Sequence, residues 1–311
     1  MSNPYSFPPS YKNVVTIIAK PDVMPFTETE MSSVVDLLQA NGAIIEDVRW
    51  LAEGEACDIF FAVLPIEEVQ ELLAHLLANV PFDFVVQEGA NRKKKMLISD
   101  MDSTIIQQEC IDELADFVGL KEEISAITER AMNGELDFPS SLRERVSKLK
   151  GLAEDKLIAA FEEKITFMPG AKALVQTMKS NGARCVLVSG GFTFFASRVA
   201  DVVGFDVHEA NILDIENGIL TGMVKEPILD SEAKLNSLNF HAGDLNIGAS
   251  SVIAVGDGAN DLPMIMAAGL GVAYHAKPHV RSQAKAQINA CDLQALLYMQ
   301  GYSKDEIITG S

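Results

Sequence analysis

The chain has 311 residues, enough for about two domains, and its 44 acidic against 25 basic side chains give a formal net charge of −19. That balance argues against a polyanion binder, because affinity for a phosphate backbone comes largely from Lys and Arg displacing counterions; an apolar share of 48% with 22% charged is globular composition. No apolar run reaches the roughly 18 residues of a membrane span, and no secretory leader is legible around Lys12. Cys57, Cys110, Cys185 and Cys291 form no CxxC pair, so a cytoplasmic protein in a reducing compartment is expected, with neither nucleic acid nor membrane as partner.

Residues 1–12 read as a flexible, proline-containing lead-in. Residues 14–19 are a short β-branched run, and Thr27-Glu-Thr-Glu30 has the S/T-x-x-E form of a capping box. The helix it opens places Met31, Val34, Val35 and Leu38 on one face and stops at Asn41-Gly42. Residues 44–50 and 58–63 read as strands, Pro65 fits the first turn of a second helix, and 82–86 is a last strand. The order βαββαβ over 13–88 is that of a ferredoxin-like split βαβ domain. Residues 89–95 read as a linker whose basic run, 92–95, is solvated charge.

After the linker the texture changes. Residues 96–99 form a short apolar strand, and 107–165 read as amphipathic helices, with Ile111, Leu114, Ala115 and Val118 on one face. From Met168 strands alternate with helices, the clearest strands being 184–188, 252–255 and 270–274. Strands separated by helices imply a parallel, Rossmann-like α/β sheet over 96–311, with the helical block inserted as a cap.

Three strand ends carry candidate chemistry. In LISDMDST, Asp100 and Asp102 leave the carboxyl end of an apolar strand, where open α/β sheets bind ligands. Two carboxylates at i and i+2 on extended chain repel one another unless a cation or a shared proton intervenes; the alternative is a plain acidic turn. In VSGGF, Ser189-Gly190-Gly191 can offer a hydroxyl and backbone N–H groups to an anion, or be an ordinary glycine loop. In VGDGAND, Asp257, Asn260 and Asp261 on a Gly-rich loop suit a hard, oxygen-seeking cation such as Mg²⁺. Lys234, taken alone, is a surface charge. His275 and His279 are set out of register as metal ligands by Pro278. Met264 and Met266 read as core.

DMDST, VSGGF, a downstream lysine and GDGAND, in this order, resemble the four motifs of the haloacid dehalogenase-like phosphatases. Glu109, AMNGELDF at 131–138 and SLRERVSKLK at 141–150 are similar to the branch of that family acting on phosphoserine. The resemblance covers about 95–295, and the N-terminal unit resembles an ACT-type domain, which makes a homodimer the expectation. The resemblance implies Mg²⁺-dependent hydrolysis of O-phospho-L-serine through an aspartyl-phosphate, the last step of serine biosynthesis. It makes Asp100 the nucleophile and Asp102 the general acid/base, with Mg²⁺ held by the Asp100 carboxylate, the Asp102 carbonyl and Asp257. Lys234, Ser189 and the N–H groups near Gly190 would hold phosphoryl oxygens, Asn260 would touch the phosphate or the leaving serine, and Asp261 would act from behind. Glu109 would take the substrate ammonium, Arg145 its carboxylate, and Met132 and Phe138 would line the cap. A relative acting on another phosphomonoester is the near alternative; a receiver-like phospho-acceptor is the remote one, lacking the inserted cap and the Asp102 acid/base.

Overall fold

A computed structural model describes residues 12–309, so all but the last residue of the expected lead-in lies outside the described residues. Contacts divide the described chain into two units, one of residues up to 94 together with 287–309, the other of 95–286. The last twenty or so residues thus group with the N-terminal unit, whereas the sequence assigns them to the catalytic domain.

The N-terminal unit runs β1 (Asn13–Ala19), α1 (Glu28–Ala40), β2 (Ile44–Ala52), β3 (Ala56–Ala62), α2 (Ile66–Leu76) and β4 (Phe82–Glu88). Its sheet order is β2-β3-β1-β4, with every neighbouring pair antiparallel, the ferredoxin-like arrangement. Thr27 caps α1: its hydroxyl accepts from the Thr29 N–H, and Glu30 returns the bond to the Thr27 N–H at 2.9 Å. Val34 and Leu38 bury the helix face expected of them, over a core that includes Val15, Ile17, Ile59 and Phe61.

The basic run at 92–95 is not simply solvated. Arg92 is 3% exposed, its guanidinium donating to both oxygens of the buried Asp58 at 2.6 and 2.9 Å and to the Thr16 hydroxyl at 2.7 Å. Lys93 pairs with Glu306 at 2.6 Å and lies over the Tyr302 ring.

The second unit begins with β5 (Met96–Ser99). Four cap helices follow: α3 (Cys110–Asp116), α4 (Lys121–Met132), α5 (Phe138–Ser147) and α6 (Asp155–Lys164). Val118, expected on the buried face, falls beyond the end of α3 and is exposed. Then come α7 (Ala171–Ser180), β6 (Arg184–Phe192), α8 (Thr193–Val203), β7 (Val207–Asn211), and a hairpin of β8 (Leu213–Glu216) and β9 (Ile219–Val224). The remainder is α9 (Ser231–Asp244), β10 (Val252–Gly256), α10 (Leu262–Ala267), β11 (Leu270–Tyr274), α11 (Pro278–Arg281), β12 (Ala286–Ile288) and α12 (Ala295–Met299), the last lying in the first unit. Pro278 opens the one-turn α11 rather than interrupting a helix, so His279 is helical. Met264 is core as expected, but Met266 is half exposed.

The sheet order is β12-β11-β10-β5-β6-β7, and the pairs from β11 to β7 are parallel. Its central strands are apolar and buried on both faces, as a sheet covered by helices on each side requires. Ser99 lies level with Val255 of β10 and Leu187 of β6. Parallel register therefore delivers Asp100, Asp257 and Ser189 to the same carboxyl edge, although they are far apart in sequence. Among the described residues no helix is long and apolar enough to cross a membrane, and no disulfide joins the four cysteines, all buried.

Candidate active site

Asp100 stands directly after β5, its N–H donating to the Val255 carbonyl at 3.0 Å, which pins the strand end against β10. Its carboxylate accepts from Lys234 Nζ at 2.5 Å. Lys234 comes from α9, is 0% exposed, and donates also to Asp261 at 2.6 Å. The second Asp261 oxygen accepts from the N–H groups of Asp257 and Gly258 at 3.2 and 3.0 Å. The lysine that alone read as surface charge is thus the buried centre of the site. Burial by itself would lower its pKa, but Asp100 and Asp261 outweigh that and hold it above the ordinary value, fully charged.

Asp100, Asp257 and Asp261 each place a carboxylate oxygen within 4.8 Å of the others, all buried. Burial, and then repulsion from Glu109, Asp100 and Asp261, push the Asp257 carboxyl well above its usual range. Asp100 rises to about 7, chiefly by burial, with Lys234 opposing. A buried, all-oxygen cluster with more negative charge than one lysine offsets fits a divalent, hard cation. Both Asp261 oxygens are already engaged by donors, so Asp261 holds Lys234 and the loop, while Asp100 and Asp257 have oxygens left for an ion. The Thr104 hydroxyl donates to Asp257 at 3.4 Å.

Asp102 lies two residues on. One of its oxygens accepts from the Cys110 N–H at the start of α3 at 3.0 Å, and the other from the Ser189 hydroxyl at 3.3 Å. Burial, then the Asp100 charge, raises its pKa to about 6, so it can both give and take a proton near neutrality. Ser189 Oγ in turn accepts from the Gly191 N–H at 2.8 Å. The strand β6 continues through Ser189-Gly190-Gly191 to Phe192, where the sequence suggests a loop. A Cβ at Gly191 would lie 2.5 Å from the Asp102 carboxylate, so any larger residue there would displace that side chain.

The cap closes the site. Asp100, Asp102, Glu109, Met132, Phe138, Arg145, Gly190, Gly191 and Asn260 line one pocket, joined by Ile111, Leu142 and Phe192, which sequence reasoning did not select. Ser189, Lys234, Asp257 and Asp261 sit beside it on the bonds described. Glu109 accepts from the Ser103 hydroxyl at 2.7 Å, and burial followed by Asp102 raises its pKa to about 7. Arg145 is 2% exposed, and the buried Asn260 Oδ1 has no hydrogen-bond partner, an acceptor available to a ligand. Ser103, in the left-handed region at φ 55°, was also missed; its place between Asp102 and Thr104 is its only sequence signal.

A Rossmann-like sheet with paired strand-end aspartates, a buried lysine and a helical cap defines a phosphoryl-group hydrolase of a known type, and the chain belongs to the haloacid dehalogenase-like hydrolases, whose family pattern it matches over residues 97–266. Among similar proteins, a phosphoserine phosphatase of Polaromonas sp. is 49% identical over 208 residues, 65% of this chain and 88% of that protein. A phosphoserine phosphatase of Saccharomyces cerevisiae is 36% identical over 305 residues, 95% of this chain and 98% of the relative. The crystal structure of a hydrolase of the same family from Salmonella enterica serovar Typhi superposes with a TM-score of 0.80 at 30% identity, covering 93% of this chain and 98% of the other.

Proposed function

We infer that this chain is a phosphoserine phosphatase, releasing L-serine and phosphate from O-phospho-L-serine as the last step of serine biosynthesis in the cytoplasm, with Mg²⁺ as cofactor. The observation that carries the reading is a single pocket lined by Asp100, Asp102, Glu109 and the buried Arg145 together. A phosphoamino acid presents matching groups: a phosphate, an ammonium and a carboxylate.

An Asp100 carboxylate oxygen attacks phosphorus and the bond from phosphorus to the serine oxygen breaks, leaving an aspartyl-phosphate. Asp102 gives its proton to the departing serine oxygen. It then takes a proton from a water whose oxygen attacks phosphorus, and the bond to Asp100 breaks, freeing phosphate. Lys234, Ser189 and the N–H groups around Gly190 hold the phosphoryl oxygens as charge builds on them. The Asp100 and Asp257 carboxylates and the Asp102 carbonyl would hold Mg²⁺, which would supply the positive charge that lets a carboxylate approach a phosphate dianion. Glu109 binds the ammonium and Arg145 the carboxylate, where a planar guanidinium fork fits, while Met132 and Phe138 exclude water. Asn260 offers its open oxygen to the leaving serine. The N-terminal unit serves as an ACT-like domain and the site of homodimer contact.

The test is phosphate release from a panel of phosphomonoesters with Mg²⁺ and with EDTA. O-phospho-L-serine should give the highest kcat/KM, and EDTA should abolish turnover until Mg²⁺ is restored. No release from phosphoserine under Mg²⁺ would refute the reading.

A further inference from the structure

Arg145 raises a question that its assignment as a carboxylate receptor does not answer. It is 2% exposed, yet among the described residues no carboxylate lies within ion-pair distance of it. A buried guanidinium normally finds a carboxylate, because an uncompensated buried charge is costly. Here its Nε–H donates to the Ser141 carbonyl at 3.2 Å and an Nη1–H to the Thr128 hydroxyl at 3.1 Å, both neutral acceptors. Burial pulls its pKa below the ordinary arginine value, against the pull of the nearby Glu109 and Asp112 charges.

One candidate partner within the cap is Asp112, and Thr128 stands between it and Arg145. Thr128 Oγ donates to Asp112 Oδ1 at 2.8 Å, with the Ile124 carbonyl at 3.0 Å as its other acceptor. A hydroxyl has one proton and two lone pairs. Arg145 takes a lone pair, and the carboxylate is the stronger of the two claims on the proton. The result is a directed chain from guanidinium to hydroxyl to carboxylate across α5, α4 and α3. Thr128 and Asp112 are themselves buried, at 3% and 9% exposed, and neither lines the pocket.

We propose that Thr128 is a positioning residue for substrate selectivity: backed by Asp112, it aims the Arg145 fork into the pocket while separating the two charges, so that the fork stays open for the carboxylate of the substrate. Were Asp112 to pair with Arg145 directly, the fork would be filled before substrate arrived. With Thr128 between them, two of the five guanidinium N–H groups are fixed within the cap, and Arg145 itself lines the pocket. The inference rests on the reading of Arg145 as the carboxylate receptor.

The experiment compares Thr128→Val, which keeps the shape and removes both hydroxyl roles, with Thr128→Ser and Arg145→Ala, on O-phospho-L-serine and on O-phosphoethanolamine, which lacks the carboxylate. Thr128→Val should raise KM for phosphoserine about tenfold with kcat within about twofold, in line with losing one charge-assisted hydrogen bond. The kcat/KM preference for phosphoserine over phosphoethanolamine should fall by the same factor, and Thr128→Ser should restore it. If Thr128→Val depresses both substrates equally, or leaves phosphoserine KM unchanged while Arg145→Ala raises it, the positioning role is wrong and the site reading stands. If Arg145→Ala itself leaves phosphoserine KM unchanged, the reading beneath the proposal fails.

Discussion

At the scale of single residues, the site is governed by how burial and neighbours move carboxyl groups towards neutrality. Glu109 is the clearest case for a measurement, since burial and the Asp102 charge raise its carboxyl to about 7. A carboxyl whose folded pKa is raised is ionised only above that value. Below about pH 7, therefore, Glu109 binds a proton and stops attracting the substrate ammonium. The kcat/KM for phosphoserine should fall up to tenfold per pH unit there, and Glu109→Gln should remove that part of the profile, leaving the titration of the substrate and of Asp102. The stability sign follows from the same shift: the native state holds the Glu109 proton more tightly than the unfolded chain, so stability from this group is greatest at acid pH and is lost as pH rises to about 7. Glu109→Gln should therefore be more stable than the parent at pH 8, relative to its standing at pH 4.5. A pH profile unchanged in Glu109→Gln would contradict the assignment.

At the scale of elements, the geometry depends on how closely the cap helix α5 meets the end of β6. A Cβ at Gly190 would sit 2.6 Å from the ring of Phe138. Gly190→Ala should push Phe138 outward, admit water and misplace substrate, lowering kcat/KM for phosphoserine about tenfold or more with little change in the thermal midpoint; unaltered kinetics would show that the contact is incidental. Elements with local signals were legible in the sequence. The helix α1 announced itself through Thr27 and Glu30, and the buried strands β5, β10 and β11 through short apolar runs between turn residues. The β8–β9 hairpin was missed despite its Asn217-Gly218 turn, at φ 52° and 75°, because its strands are half-exposed and lack an apolar run. The strand β6 was cut short because two glycines suggest a loop, while their use here is close approach. Thr128 and Ser103 were missed because a hydroxyl acting through another side chain has no spacing signature. Asp100, Asp102 and Asp257 were legible because a parallel sheet brings strand ends to one edge and their motifs mark those ends.

At the scale of the whole molecule, charge is unevenly distributed: residues 1–91 hold 3 basic and 14 acidic side chains, and 92–311 hold 22 and 30. The acidic surplus is mostly that of residues 1–91, and the first basic side chain beyond them is buried within the N-terminal unit. Arg92, read as solvated, is buried against Asp58 and Thr16 and reaches the Tyr298 carbonyl within the same unit. Nothing local in an RKKK run distinguishes its first member; only the long-range pairing of β1 with β3, which sets Thr16 beside Asp58, creates the acceptor. Removing one partner of a buried pair strands the other, so Arg92→Ala should cost about 3–5 kcal/mol in denaturant unfolding of the N-terminal unit. A loss below about 1 kcal/mol, the range of an exposed pair, would mean that the pair is not structurally important.

The central claim is that phosphoryl transfer passes through Asp100. Acid-quenched single turnovers with ³²P-labelled O-phospho-L-serine and Mg²⁺ test it most directly. A transient, hydroxylamine-sensitive label on the peptide containing Asp100, absent in Asp100→Asn along with phosphate release, is the expected result. Phosphate release that persists in Asp100→Asn, or label on a different side chain, would contradict it.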